Sequence, residues 1–223
     1  MNNKSSKFSS NKPIPFENYK NFLNDDDLNK LSVFKRELKS QFNVEKALYI
    51  SVSVPNPDKI DLDNAALYNT RVNCFGNREI VLLERQKSCN SKCEYSYSLS
   101  DNVCFDCPHG NCVIDCEFDY PTKITPAFIF TEVKKSHKAS KIHPGQYFLK
   151  ITVNKKTARG FSEISFLKPL IDGLMTFVDS PSLDVSCIKR FNPHDERINK
   201  IMIIRTVQDL KEKQIRIQLF TLP

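Results

Sequence analysis

Two groups of residues have the types and spacing that chemistry requires. The first is a run of cysteines, Cys89/Cys93, Cys104/Cys107 and Cys112/Cys116, which holds six of the chain's eight. Three or four positions apart, with Pro, Gly, Asn and Asp nearby, such pairs form short turns that aim two sulfurs at one tetrahedral ion. The second is Asp61-Leu62-Asp63. In an extended segment side chains at i and i+2 point the same way, so both carboxylates can reach one cation. Mg²⁺ is the hard, octahedral ion that takes one or two such carboxylates together with waters and phosphate oxygens.

Three cysteine pairs are more than one Zn²⁺ needs. A Cys₄ site leaves two thiols over, and His109 could replace one ligand. Two zincs sharing thiolates, or an iron–sulfur cluster on Cys104, Cys107, Cys112 and Cys116, are alternatives. Structural zinc is the expectation, because the linking segments carry few apolar residues and small segments of that kind fold around a metal staple. A catalytic zinc keeps a position open for water and commonly uses His or carboxylate ligands, whereas six neighbouring cysteines look closed. The isolated Cys74 and Cys187 are expected to be buried thiols. Zinc-deaminase, G-x-S-x-G, P-loop and H-E-x-x-H patterns are all missing.

The N-terminal residues lack the apolar core of a signal peptide, and no run approaches the ~18 apolar residues of a membrane span. A cytoplasmic location without membrane contact is therefore expected. Thiols stay reduced there, which favours metal over disulfides. The net charge of +7 is concentrated: Lys134, Lys135, Lys138, Lys141, Lys150, Lys155, Lys156 and Arg159 occur between 134 and 160 with no acid among them. The stretch 89–120 is acidic by contrast. A localised basic face suits a polyanion such as nucleic acid, or is simply a solvated surface.

The elements that must position these groups follow from periodicity. Residues 1–20 read as a flexible arm. Asn24 to Asp27 can cap a helix whose apolar face is Leu28, Leu31, Phe34, Leu38 and Phe42. Ala47 to Val54 alternates as a half-buried strand, followed by a strand from Glu79 to Leu83. Further strands are expected at Ala127 to Val133, Gln146 to Val153 and Phe161 to Phe166. A helix from Lys168 to Val178 should have Pro169 in its first turn and a close packing contact at Gly173. Ile201 to Ile204 and Ile215 to Leu219 should close the chain as a hairpin.

Asp61-Leu62-Asp63-Asn64 after a strand, the pattern K-x-x-x-D-x-L from Lys168 to Leu174, the turn His194 to Ile198 and two terminal strands resemble the RusA-type Holliday junction resolvases. The resemblance covers residues 48–64 and 166–220, about a third of the chain. Two departures stand out. About a hundred residues separate Asn64 from Lys168, and His194 stands where the family usually has one of two aspartates.

The resemblance implies an α+β fold, a mixed sheet with two or three helices, and the cysteine pairs add a small Cys-rich zinc-binding module that interrupts it. Its domains would be an N-terminal arm (1–20), a core (21–88 and 121–223) and the insert (89–120). It implies catalytic Mg²⁺ held by Asp61, Asp63 and Asp195, with Lys168 stabilising charge on the phosphate and Asp172 anchoring its helix. It also implies a homodimer. The expected function is Mg²⁺-dependent endonuclease action on branched or structured DNA. Zn²⁺ would sit on Cys89, Cys93, Cys104, Cys107, Cys112 and Cys116, and DNA would meet Lys134, Lys135, Lys138, Lys141, Lys155, Lys156 and Arg159. The alternative is a non-catalytic, zinc-dependent protein that binds nucleic acid or another protein.

Overall fold

The computed structural model describes residues 5–10, 25–26, 28–30, 32–33, 36, 47–56, 61–63, 80–89, 93–100, 110–137, 145–154, 163–206, 211 and 214–223. The chain divides into two compact units. One is Met1–Asp106 with Asn199–Met202, and the other is Cys107–Ile198 with Ile203–Pro223. The expected α+β class with strands of mixed direction is what is observed.

In the first unit, β1 (Ser5–Ser10), β2 (Ala47–Val54), β3 (Ile80–Lys87) and β4 (Cys93–Ser100) are arranged in the order β1-β4-β2-β3. β2 runs parallel to β3 and antiparallel to β4, which in turn is antiparallel to β1. Residues Asn199–Met202 lie beside β3. The alternation read in β2 holds: Leu48, Ile50, Val52 and Val54 are buried, while Tyr49, Ser51 and Ser53 are partly exposed. A parallel partner needs a crossover connection, which fits the long segment between β2 and β3. Described residues between 25 and 36 are helical, as expected there. Asp26 forms an exposed i,i+4 pair with Lys30 at 2.5 Å.

In the second unit, β5 (Cys112–Asp119), β6 (Tyr147–Asn154) and β8 (Gln214–Thr221) join the outer parts of β7 (Ile198–Thr206) in the order β7-β6-β8-β5. β8 pairs antiparallel with both β5 and β6. β6 is a central strand, and its consecutive Tyr147, Phe148 and Leu149 are all buried. The terminal strands β7 and β8 are therefore not the expected hairpin, because β6 lies between them.

Two segments expected as strands are helical. Ala127 to Val133 belongs to α1 (Pro126–Ser136). The Thr125 hydroxyl accepts from the Phe128 N–H at 3.2 Å, Pro126 stands at the first helical position, and Lys134 and Lys135 occupy the last turn. These are strong start and stop signals, and they override the β-propensity of the Phe-Ile-Phe run. Within Phe161 to Phe166, residues 163–166 open α2 (Glu163–Asp179), so Pro169 is interior and not in the first turn. The stripe Phe166, Leu170, Leu174 and Phe177 continues one apolar face across the proline. Gly173 does make the expected close contact. A Cβ there would lie 2.4 Å from the Pro126 carbonyl oxygen and 2.7 Å from Ile129 Cβ, so only glycine lets α1 and α2 approach this closely. Phe130 and Phe177 meet edge to face at 5.8 Å in the same contact.

Candidate functional site

The second unit brings together three of the charged residues singled out from the sequence. Lys168 and Asp172 face the same side of α2, one turn apart, with Nζ 3.1 Å from Oδ1. The same ammonium pairs with Asp195, whose side chain is only 8% exposed. Asp195 opens a single 3-10 turn, Asp195–Arg197, that leads directly into β7. Glu196, which the sequence reading passed over, places a carboxylate oxygen within 4.8 Å of one from Asp195. The Asp-Glu dipeptide just before a strand was the available signal. A buried carboxylate calls for an opposite charge close by, and the Lys168 ammonium supplies one.

Asp61 and Asp63 belong to the first unit. Their backbone is not the extended segment expected: residues 62–63 are helical. Helical positions step by ~100°, so i and i+2 point nearly opposite ways and the same-side argument does not apply. Asp61 is partly exposed, whereas Leu62 and Asp63 are buried.

The first unit has its own charged cluster on β2 and β3. The Tyr49 hydroxyl donates to Glu84 Oε2 at 2.6 Å, and Lys200 Nζ lies 3.4 Å from Glu84 Oε1. Burial first, then the hydrogen bond and negative charge of Glu84, push the Tyr49 phenol up to about 12. Next to it the buried Arg85 donates through Nε to Asn199 Oδ1 at 3.1 Å, with a second bond from Nη2.

The described cysteines sit on strands. Cys93 lies on the buried face of β4 with Tyr95 and Tyr97, and Cys116 lies on the buried face of β5 with Ile114 and Phe118. Burial pushes both thiols up, toward the protonated form. Cys116 Sγ is 3.3 Å from the Ser136 hydroxyl. Cys89 and Cys112 are exposed, and Cys104, Cys107 and His109 lie outside the described residues. The stretch 89–120 thus supplies β4 to one unit and β5 to the other, with the unit boundary between Asp106 and Cys107. Among the described residues no cysteine belongs to a cluster of three candidate metal ligands. Cys187, expected to be buried, is exposed on a short 3-10 helix, Val185–Arg190, because the apolar side of that turn is taken by Ile188. Cys74 lies outside the described residues.

Of the basic run, Lys134 and Lys135 are exposed at the C-terminal end of α1. Lys134 Nζ stands 5.4 Å from the Phe130 ring centroid, and Lys135 pairs with Glu132 at 2.7 Å. Lys138, Lys141, Lys155, Lys156 and Arg159 lie outside the described residues. On β5, Asp115 accepts from Arg216 at 2.8 and 2.6 Å and from Gln218 at 3.0 Å, and the Arg216 bonds hold its carboxyl below the usual range.

No protein-family model, curated protein or solved structure matches the chain. No helix among the described residues is long and apolar enough to cross a membrane.

Proposed function

We propose that the protein is a Mg²⁺-dependent endonuclease that hydrolyses phosphodiester bonds in branched or otherwise structured DNA. The observation that carries this reading is the Lys168–Asp195 pair: an ammonium on a helix meets a buried carboxylate on a turn, with Glu196 contributing a second carboxylate beside it. Carboxylate oxygens are the hard donors that Mg²⁺ takes, so the donor set suits the ion. Mg²⁺, when bound, supplies Lewis-acid polarisation of the phosphoryl oxygen and acidifies a water.

The chain's own residues have separable roles. Asp195 holds the ion. Asp172, 3.1 Å from Lys168 Nζ, keeps the ammonium oriented at the carboxylates. Lys168 meets the negative charge that builds on the phosphate, a contribution typically worth 10²–10³ in rate for one preorganised donor. DNA is the implied partner, a homodimer the implied assembly, and Lys134 and Lys135 with the rest of the 134–159 run the implied backbone contacts. Structural zinc is proposed on cysteine spacing alone.

The deciding experiment incubates the protein with four-way junction DNA and Mg²⁺. Wild type should cleave, while Asp195→Asn and Lys168→Ala, folded by circular dichroism, should lose about 10²–10³-fold in rate. Equal cleavage by wild type and Asp195→Asn removes the assignment. Salt-sensitive DNA binding with no cleavage under any divalent ion would instead support the non-catalytic binding protein. Its log–log salt slope should be about −0.9 per neutralised phosphate.

A further inference from the structure

The Asp195–Arg197 turn is held on both flanks by one carboxylate. On its N-terminal side, the His194 N–H donates to Asp179 Oδ2 at 2.8 Å, and His194 Nδ1 lies 3.1 Å from the same oxygen. On its C-terminal side, Arg197 Nη1 donates to Asp179 Oδ1 at 2.7 Å. The guanidinium goes further: Nη2 donates to the Tyr147 hydroxyl at 2.6 Å and Nε to the Gly145 carbonyl at 3.2 Å. Its central carbon stands 4.9 Å from the Tyr147 ring centroid. Between the two gripped flanks lie only Asp195 and Glu196.

We infer that Asp179, Arg197 and Tyr147 form a clasp whose role is to aim the Asp195 and Glu196 carboxylates at a divalent cation. The inference rests on the metal-dependent reading above and adds positioning residues to it. Three features point to aim over simple stability. The Asp179 side chain is 8% exposed and that of Arg197 20%, so the pair has given up much of its hydration. Apolar residues of similar volume often stabilise such a place as well or better, so a sunken ion pair is weak evidence for stability and better suited to fixing one geometry. Arg197 uses all three guanidinium nitrogens on three partners, a planar fork that tolerates little displacement. Asp179 also ends α2, the helix that carries Lys168 about three turns earlier, so one element both aims the turn and supplies the ammonium that meets it.

The clasp also accounts for His194. Where the resemblance would put a second aspartate, the ring instead faces Asp179 and serves the clasp. The acid of the turn that the sequence reading missed is Glu196, on the far side of Asp195.

The test titrates Mn²⁺ alone into the full chain, follows free Mn²⁺ by electron paramagnetic resonance, and records a melting curve for each variant. Outer-shell partners typically tune metal affinity by 10–100-fold. Asp179→Asn and Arg197→Lys should therefore weaken Mn²⁺ binding about tenfold. Tyr147→Phe, which removes one oxygen and leaves the ring in the core, should weaken it about threefold. In cleavage assays the Mg²⁺ needed for half-maximal rate should rise by the same factors, with the saturating rate within about twofold of wild type. Mn²⁺ affinity equal to wild type in Arg197→Lys and Tyr147→Phe, with only the melting temperature lowered, overturns the clasp. Asp195→Asn separates the two claims. If it binds Mn²⁺ like wild type, the metal reading fails and this inference falls with it. If it loses Mn²⁺ while the clasp variants keep it, only the clasp fails.

Discussion

Cys116 and Asp195 are both metal-ligand residue types, both almost fully buried and both in the second unit, yet their surroundings are opposite. Cys116 looks inward from β5 between Ile114 and Phe118, with one hydroxyl near its sulfur, and burial pushes its thiol toward the protonated form. A protonated thiol packs like a small hydrophobe. Asp195 stands on a turn against an ammonium, with a second carboxylate beside it. Burial by itself thus says little about metal chemistry. The charges across from the buried group decide.

The largest effect should come from breaking the Asp195 side of this contrast. Lys168→Met removes the ammonium and leaves a buried carboxylate without its cation, at a cost of about 2–4 kcal/mol. Urea denaturation should show it, and adding Asp195→Asn to Lys168→Met should recover part of the loss. If the double variant is no more stable than Lys168→Met, the pair is not coupled.

On the cysteine side the expected costs are smaller. Cys93→Ala and Cys116→Ala should each destabilise by about 1 kcal/mol, the usual size for a modest core truncation. Metal content measured by plasma mass spectrometry should not change in these two variants if the thiols act as core. A loss of one equivalent of zinc would assign them to a metal. Thiol reactivity offers a gentler probe. Cys89, Cys112 and Cys187 should react with a disulfide reagent at least ~10-fold faster than Cys93 and Cys116, whose exposure requires local opening. Equal rates for all five would remove the buried-thiol side of the comparison.

Tyr49 supplies the smallest and most specific test, being a half-buried acid of the first unit with a raised pKa. Its pKa is raised from 10.0 to about 12 in the folded protein, so the fold holds this proton more tightly than the unfolded chain does. The associated stabilisation is complete below pH 10 and is lost as pH rises toward 12. Tyr49→Phe should be less stable than wild type at pH 9 by about 1 kcal/mol, for the hydrogen bond to Glu84. That gap should close as the pH approaches 12. A gap that stays constant would show that Glu84 and burial do not govern the phenol.

Much of the fold was legible because some segments carry one unambiguous period. β2 alternates cleanly, and Leu170, Leu174 and Phe177 mark the buried face of α2. Ala127 to Val133 was misread because Phe, Ile and Val favour strands locally, while Thr125-Pro126 decided for a helix from outside the window. The period-two argument for Asp61 and Asp63 failed for a related reason: it presupposed extended backbone, and residues 62–63 are helical. At the candidate site, Lys168, Asp172 and Asp195 were found by spacing and resemblance. Glu196, Asp179 and Arg197 were not, since nothing local distinguishes their charges from solvated ones.

From the sequence alone came the element types with a clean period, the segregation of basic charge between 134 and 160, and part of the candidate site, Lys168, Asp172 and Asp195. These depend on side-chain direction relative to a residue's own backbone, which spacing determines. Only the tertiary structure turned Cys93 and Cys116 inward, set β6 between β7 and β8, and brought Lys168 of α2 to Asp195 on its turn. Those outcomes depend on which face meets water and which charge lies opposite after packing, and neither is a property of any local stretch of chain.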